Sequence, residues 1–236
     1  MTRLETIAAR IDSLARHPGA VQVFGAEARH YGHSFRRRTV TLDELSELET
    51  RLGVNLPPEY QSLVTLVGCN VGPYYGMLGP SGLLEEFADV GTLTDENGDP
   101  AREFLITRTA LEQHLREGTA HIPTSGAWHG CVPVCFQGCQ FWSMLVTTGE
   151  FMGTVWDVAS YGDCDDQWIP ACRPPGIVSG TIKIKHLELS ALPKPPTLLQ
   201  WYEGWLERVE SDLALLRPDP LIRRLLNKFS RPSRPM

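Results

Sequence analysis

The segment "LDELSELETRLGVNLPPEYQSLVTLVG", residues 42–68, leaves the chain few ways to fold. Leu42, Leu45, Leu48 and Leu52 recur at helical spacing, and Thr41 and Glu44 have the spacing of a capping box. A helix therefore starts at Thr41, and Gly53 suits its C-terminal cap. Pro57 and Pro58 suit the first turn of a second helix, where a missing N–H costs nothing. Tyr60, Leu63, Val64 and Val67 line one face of that helix before Gly68 closes it. Two short helices joined by "GVNLPP" make a compact helical corner. The next stretch, "NVGPYYGMLGPSG", drops the helical period for a glycine-rich turn carrying Tyr74 and Tyr75.

Around this corner the other segments fall into order. Leu4, Ile7, Ala8, Ile11 and Leu14 predict an amphipathic helix over residues 3–16, stopped by "HPG". Residues 20–40 read as a connector with Phe24, Tyr31, Phe35 and the basic cluster Arg36, Arg37 and Arg38, and weak packing is expected of this arm. A short helix is expected at 83–88, then the acidic loop "GTLTDENGDPARE". Residues 104–107 read as a strand or as the lead-in to a helix at 110–117. "CVPVCF", "FWSMLVTT" and "GTVWDVAS" are short, β-branched and aromatic, separated by turn-like residues, and predict an antiparallel meander. "TIKIKHLELS" suits a further strand. Thr197 caps a last helix with Leu198, Tyr202, Trp205, Leu206, Val209 and Leu213 on one face. Helices first, strands in the middle and a helix last indicate an α+β domain, a single mixed, mostly antiparallel sheet with helices packed on it. The expected organisation is an N-terminal helix and basic connector over 1–40, the α+β domain over 41–216, and a basic, proline-containing tail over 217–236.

Charge follows the same division. Of the 236 residues, 1–40 hold seven Lys/Arg against three Asp/Glu, and 217–236 hold six against one. The middle keeps nine basic and twenty-four acidic side chains, a balance of −15. Such a body repels nucleic acid and attracts a basic partner, although acidic surfaces also serve solubility alone. No apolar run reaches spanning length, and the start "MTRLETIAARIDSLARHPG" carries charges every few residues, unlike a signal peptide. The expectation is a cytoplasmic protein with no membrane partner, whose six sparse cysteines are buried thiols.

The candidates for chemistry each have a plainer reading. His121, His129, Cys131, Cys135 and Cys139 are dense, but the cysteines are spaced evenly at four and not on tight knuckles, so core positions along a strand explain them better than zinc. No cysteine stands at a helix N-terminus near a histidine, and Cys69 follows a helix C-terminus, where the dipole raises a thiol pKa. "DCDD" at 163–166 lacks the alternating run and distal glutamate of a calcium loop and reads as a solvated acidic loop. The glycines at 68, 72, 76, 79 and 82 form no phosphate cradle. No catalytic residue, metal or cofactor is expected. Tyr74, Tyr75 and Trp168, in loop contexts, are the aromatics expected at the surface, where they make good anchors.

Three blocks resemble the SUKH superfamily, whose members include bacterial immunity proteins and a fungal regulator of cell-wall synthesis. Glu49, Leu52, Gly53, Leu56, Pro57, Glu59, Tyr60 and Leu63 fall on its opening motif. Gly153, Val155 and Trp156 fall on its G-x-V-W strand. Trp201, Tyr202, Glu203, Trp205 and Leu206 fall on its closing helix. The blocks keep their order over about 41–209, and residues 1–40 and 215–236 have no counterpart. The resemblance implies an α+β fold and a role in binding, commonly neutralisation of a polymorphic toxin by direct contact. Many such toxins are nucleases with basic clefts, which an acidic body would fit. The acidic and aromatic loop residues Tyr74, Tyr75, Glu85, Glu86, Asp89, Asp157, Asp163, Asp165 and Asp166 are the expected contacts. A regulatory scaffold that bridges cellular proteins is the alternative reading, and a metal- or thiol-dependent enzyme the third.

Overall fold

The computed structural model describes residues 1–26, 33, 35–89, 98–119, 121–124, 128–159, 166–171, 174–177 and 194–215. Among these are six α-helices: α1 (Arg3–Ala15), α2 (Leu42–Leu52), α3 (Pro58–Ser62), α4 (Pro80–Asp89), α5 (Arg108–Glu117) and α6 (Leu198–Leu215). Five strands, β1 (Ile122–Thr124), β2 (Cys131–Gly138), β3 (Phe141–Val146), β4 (Val155–Ala159) and β5 (Asp166–Pro170), form one sheet in the order β1-β5-β4-β3-β2. All its pairings are antiparallel. The chain thus adopts the expected α+β class, helices on a single sheet. The expected strand at 181–190 and the C-terminal tail lie outside the described residues, and no described helix is long and apolar enough to cross a membrane.

The helical corner forms as its punctuation predicts. The Thr41 and Glu44 capping box starts α2, and Gly53 ends it in the left-handed conformation. Leu45, Leu48 and Leu52 enter the core, whereas Leu42, at the first helical position, remains 76% exposed. Pro58 opens α3, which runs into a π-helical turn over Leu63–Val67 before Gly68. Glu49 ties the two helices together: its Oε1 accepts the Leu56 N–H at 2.6 Å and the Gln61 side-chain amide at 2.9 Å.

The connector after α1 packs more firmly than expected, Ala20, Val23, Ala26, Phe35 and Val40 being buried in the core, and α1 itself is well anchored. Ile7, Ile11 and Leu14 are buried in the same core as α6. Two arginines on α1 cross to glutamates of α6 with two N–H···O bonds each, Arg3 to Glu203 and Arg10 to Glu210. The capping box of Thr2 and Glu5 secures the start of the helix. The basic cluster is also engaged, Arg37 reaching Asp12 on α1 at 3.0 Å.

Both sheet faces are covered. Val132, Val134, Leu145 and Val155 point into a core shared with α1, α2, α3 and α6, where Tyr60, Tyr202 and Trp205 are fully buried. The opposite face carries Cys131, Met144, Trp156, Val158 and Trp168 into a second cluster with Phe104, Ile106, Leu111, Trp128 and Phe151. Residues 104–107 are the lead-in to α5, with Thr107 as its N-cap, and not a strand. Trp168, expected at a surface from its loop-like context, lies on β5 and is 1% exposed.

Cys131 and Cys135 show how a local irregularity changes the outcome. Residues four apart on a regular strand share a face. The register of β2 against β3 shifts between Pro133 and Cys135, a β-bulge, and one extra residue reverses the side-chain sense. Both thiols are buried, as expected, but in opposite cores: Cys131 with Trp156, and Cys135 with the helices.

Candidate partner-binding site

The glycine-rich segment after Gly68 wraps the outer edge of β2. Met77 bridges to Cys135, and the Leu78 N–H donates to the Val134 carbonyl at 2.9 Å, so this segment occupies part of an otherwise open sheet edge. The Asn70 N–H donates to the Met77 carbonyl at 2.8 Å and closes the loop at its base. The buried Tyr202 hydroxyl donates to the Val71 carbonyl at 3.0 Å, and the Cys135 thiol donates to the Pro73 carbonyl at 2.9 Å. Gly25 presses against the other side. A Cβ on it would stand 1.9 Å from the Tyr74 carbonyl oxygen, and its φ of +80° already favours glycine. Asn70 and Tyr74 both hold left-handed backbone, at φ 65° and 52°. Such strain persists where surrounding contacts over-determine it, as they do here.

What this fixed loop presents is a row of aromatic rings. Tyr75 stacks on Phe136 of β2 with centroids 5.8 Å apart and planes inclined by 27°. Phe136 meets Trp142 of β3 at 5.6 Å, and Trp142 meets the buried Trp128 at 5.3 Å. At the other end Phe24 contacts Tyr75 at 5.4 Å and Tyr74 at 6.0 Å. Phe24, Tyr75, Phe136 and Trp142 are each partly exposed. Glu86, on α4, borders the row: its Oε2 accepts the Trp142 indole N–H at 3.0 Å. Glu85, one position earlier on the same helix, is exposed.

The remaining residues expected at the contact surface are placed differently. Tyr74 is buried, 5% exposed, and supports the ridge through Phe24. Asp166 is not in a solvated loop. It opens β5, is 6% exposed, and its Oδ2 accepts the Trp128 indole N–H at 2.7 Å, a structural bond in the second core. Asp157 is partly exposed on the helix-facing side of β4, where its Oδ1 accepts from Gln137 Nε2 at 2.6 Å and from the buried Ser143 hydroxyl at 2.8 Å. The side chain of Asp89, and Asp163 and Asp165 altogether, lie outside the described residues. The structure therefore brings together Tyr75, Glu85 and Glu86 and adds Phe24, Phe136 and Trp142. Strand alternation in "FWSMLV" separates Trp142 from the helix-facing side. Nothing local in the sequence joins Phe136 to Tyr75.

The chemistry of the other candidates is muted. Burial pushes the thiols of Cys69, Cys131 and Cys135 up, away from the nucleophilic thiolate. Among the described residues no three His, Cys, Asp or Glu side chains converge as a metal-binding set. An open cleft of about 180 Å³ between α2 and α4, with Leu48 and Leu84 among its lining and Arg38, Glu44, Glu47 and Arg51 at its rim, is smaller than the 300–1,000 Å³ typical of small-molecule sites. In comparisons with known proteins, the chain matches no family model, no curated protein and no solved structure.

Proposed function

We propose that this chain is a SUKH-type immunity protein that acts in the cytoplasm, neutralising a cognate toxin with a basic active cleft, such as a nuclease, by direct contact. The observation that carries the reading is the ridge of Tyr75, Phe136 and Trp142, partly exposed, held by a cross-braced loop and bordered by Glu86. Tyrosine and tryptophan are favoured interface anchors because they bury large areas at low conformational cost. Fixed in advance, they lose little entropy on association. The acidic balance of residues 41–216 speeds encounter with a basic surface and disfavours nucleic acid as a competitor.

The residues that carry the SUKH resemblance have structural work that suits a binding scaffold. Glu49 joins α2 to α3, Glu59 reaches α6, Tyr60 and Tyr202 are fully buried, and Trp156 anchors the second core. Co-expression with a toxin, where the gene beside this one encodes it, tests the function. The expected result is survival of cells that the toxin alone kills, and recovery of both proteins as one complex from an affinity column. Survival no better than with an empty vector, with no complex, would refute it.

A further inference from the structure

We propose that the cleft between α2 and α4 binds a small zwitterion, a free α-amino acid with an aliphatic side chain. This site is separate from the aromatic ridge and does not depend on the function proposed above. Three features meet in one opening. Its lining includes an aliphatic set: Leu48 of α2 is 1% exposed, and Pro80 and Leu84 of α4 are partly exposed. Its rim carries a carboxylate and a guanidinium from α2, Glu47 and Arg51, both exposed. Four positions apart on a helix, the two side chains can reach a common point. Neither makes a hydrogen bond or an ion pair among the described residues. The other two rim charges satisfy one another, since Arg38 pairs with Glu44, which also closes the capping box of α2.

The opening selects its occupant by charge and by size. Glu47 and Arg51 stand on the same rim, so a ligand of one charge would satisfy one of them and face its like in the other. A zwitterion answers both. Its carboxylate accepts from the planar fork of the Arg51 guanidinium, and its ammonium donates to the Glu47 carboxylate. Pairing with each other in solvent would gain these two groups little, so they stay available to a ligand. The aliphatic side chain lies on Leu48, Pro80 and Leu84, where removal of apolar surface from water drives binding. The volume, about 180 Å³, is below that of sites for larger ligands and suits a single amino acid.

The test uses the whole protein, methyl-labelled at leucine, and follows the Leu48 and Leu84 methyl signals by NMR, assigned with Leu48→Met and Leu84→Met. The probes are L-leucine, leucinamide, which lacks the carboxylate, and 4-methylpentanoate, which lacks the ammonium. Leucine is expected to move both sets of signals saturably, with a Kd on the order of 1 mM. Leucinamide and 4-methylpentanoate should each bind about fivefold more weakly, and glycine, without the side chain, about tenfold. Two variants assign the roles. Arg51→Gln should weaken leucine binding about fivefold and leave leucinamide binding no weaker. Glu47→Gln should weaken leucine binding by a similar factor and leave 4-methylpentanoate binding no weaker. Both positions are exposed, and the remaining leucine methyls verify the fold of each variant. No saturable shift up to about 50 mM leucine would overturn the proposal. So would equal binding of the three probes, or leucine binding indifferent to both substitutions. Movement of the same signals on raising protein concentration alone would make a second copy the occupant and overturn it as well. The assay contains no toxin, so this inference and the immunity reading stand or fall separately.

Discussion

The carboxylate of Glu59, on α3, accepts the backbone N–H of Leu199 at 3.0 Å, and so closes the first turn of a helix 140 residues further along the chain. The first N–H groups of a helix have no partner within it. Thr197 satisfies one of them, its hydroxyl accepting the Gln200 N–H at 3.4 Å, while Gln200 returns a bond to the Thr197 N–H at 3.0 Å. Leu199 is left, and Glu59 supplies its acceptor together with a negative charge at the positive end of the helix. Glu59→Ala should therefore cost about 1 kcal/mol, the usual cost of a lost N-terminal cap. Urea denaturation should show a lower midpoint and an unchanged slope, with Glu59→Gln intermediate.

Gly25 is the tightest point beneath the loop. A Cβ there would overlap the Tyr74 carbonyl, and both residues stand in left-handed backbone. Gly25→Ala should cost about 2 kcal/mol or more, since both the steric clash and the φ penalty act on it. The loss should be accompanied by a changed near-ultraviolet circular dichroism signal as Tyr74 and Tyr75 shift. Gly53→Ala is the control. It adopts φ +67° with nothing within 4 Å of its Cβ position, so it should cost only the backbone term and leave the aromatic signal intact.

The fold was legible wherever the signal was local. The capping box at Thr41, the cap at Thr197, the prolines opening α3 and the β-branched and aromatic run from residue 141 act over a few residues, and the elements form where those signals stand. The site was only partly legible because its parts meet through tertiary contacts. Tyr75 and Glu86 carry their chemistry on the face of the sequence. Phe136 joins them only because a bulge after Pro133 turns the strand, and a bulge leaves no dependable trace in composition. Asp166 misled for a similar reason. "DCDD" has the look of a solvated loop, and a distant indole, that of Trp128, decides that its last member is buried.

That buried bond gives a further outcome. Asp166→Ala leaves the Trp128 N–H without its acceptor in a closed core, at a cost of about 2 kcal/mol, whereas Asp166→Asn retains an oxygen and should lose less. Thermal unfolding measures the difference. Under the proposed role, folded Asp166→Asn should bind the partner as tightly as the unsubstituted chain, because Asp166 is buried.

His33 sets the expected response to acid. It is 3% exposed, packs edge-on against Phe35 and Trp205, and its Nδ1 accepts the Phe35 N–H at 3.3 Å, a bond that protonation of Nδ1 would break. Burial holds its pKa down to about 4, partly offset by the Phe24 carbonyl, against an ordinary value of 6.5. The folded state therefore binds fewer protons than the unfolded chain between those two values, and stability rises with pH across that window. The neutral imidazole's contribution is fully present above 6.5 and lost progressively as pH falls toward 4. At its full extent it amounts to about 3 kcal/mol. Urea unfolding at a series of pH values should show this slope, and His33→Phe, which keeps a ring against Trp205 without a titrating nitrogen, should flatten it. An equal slope in the variant would assign the acid sensitivity to carboxylates such as Glu203, whose pKa is lowered chiefly by its hydrogen bond from Arg3.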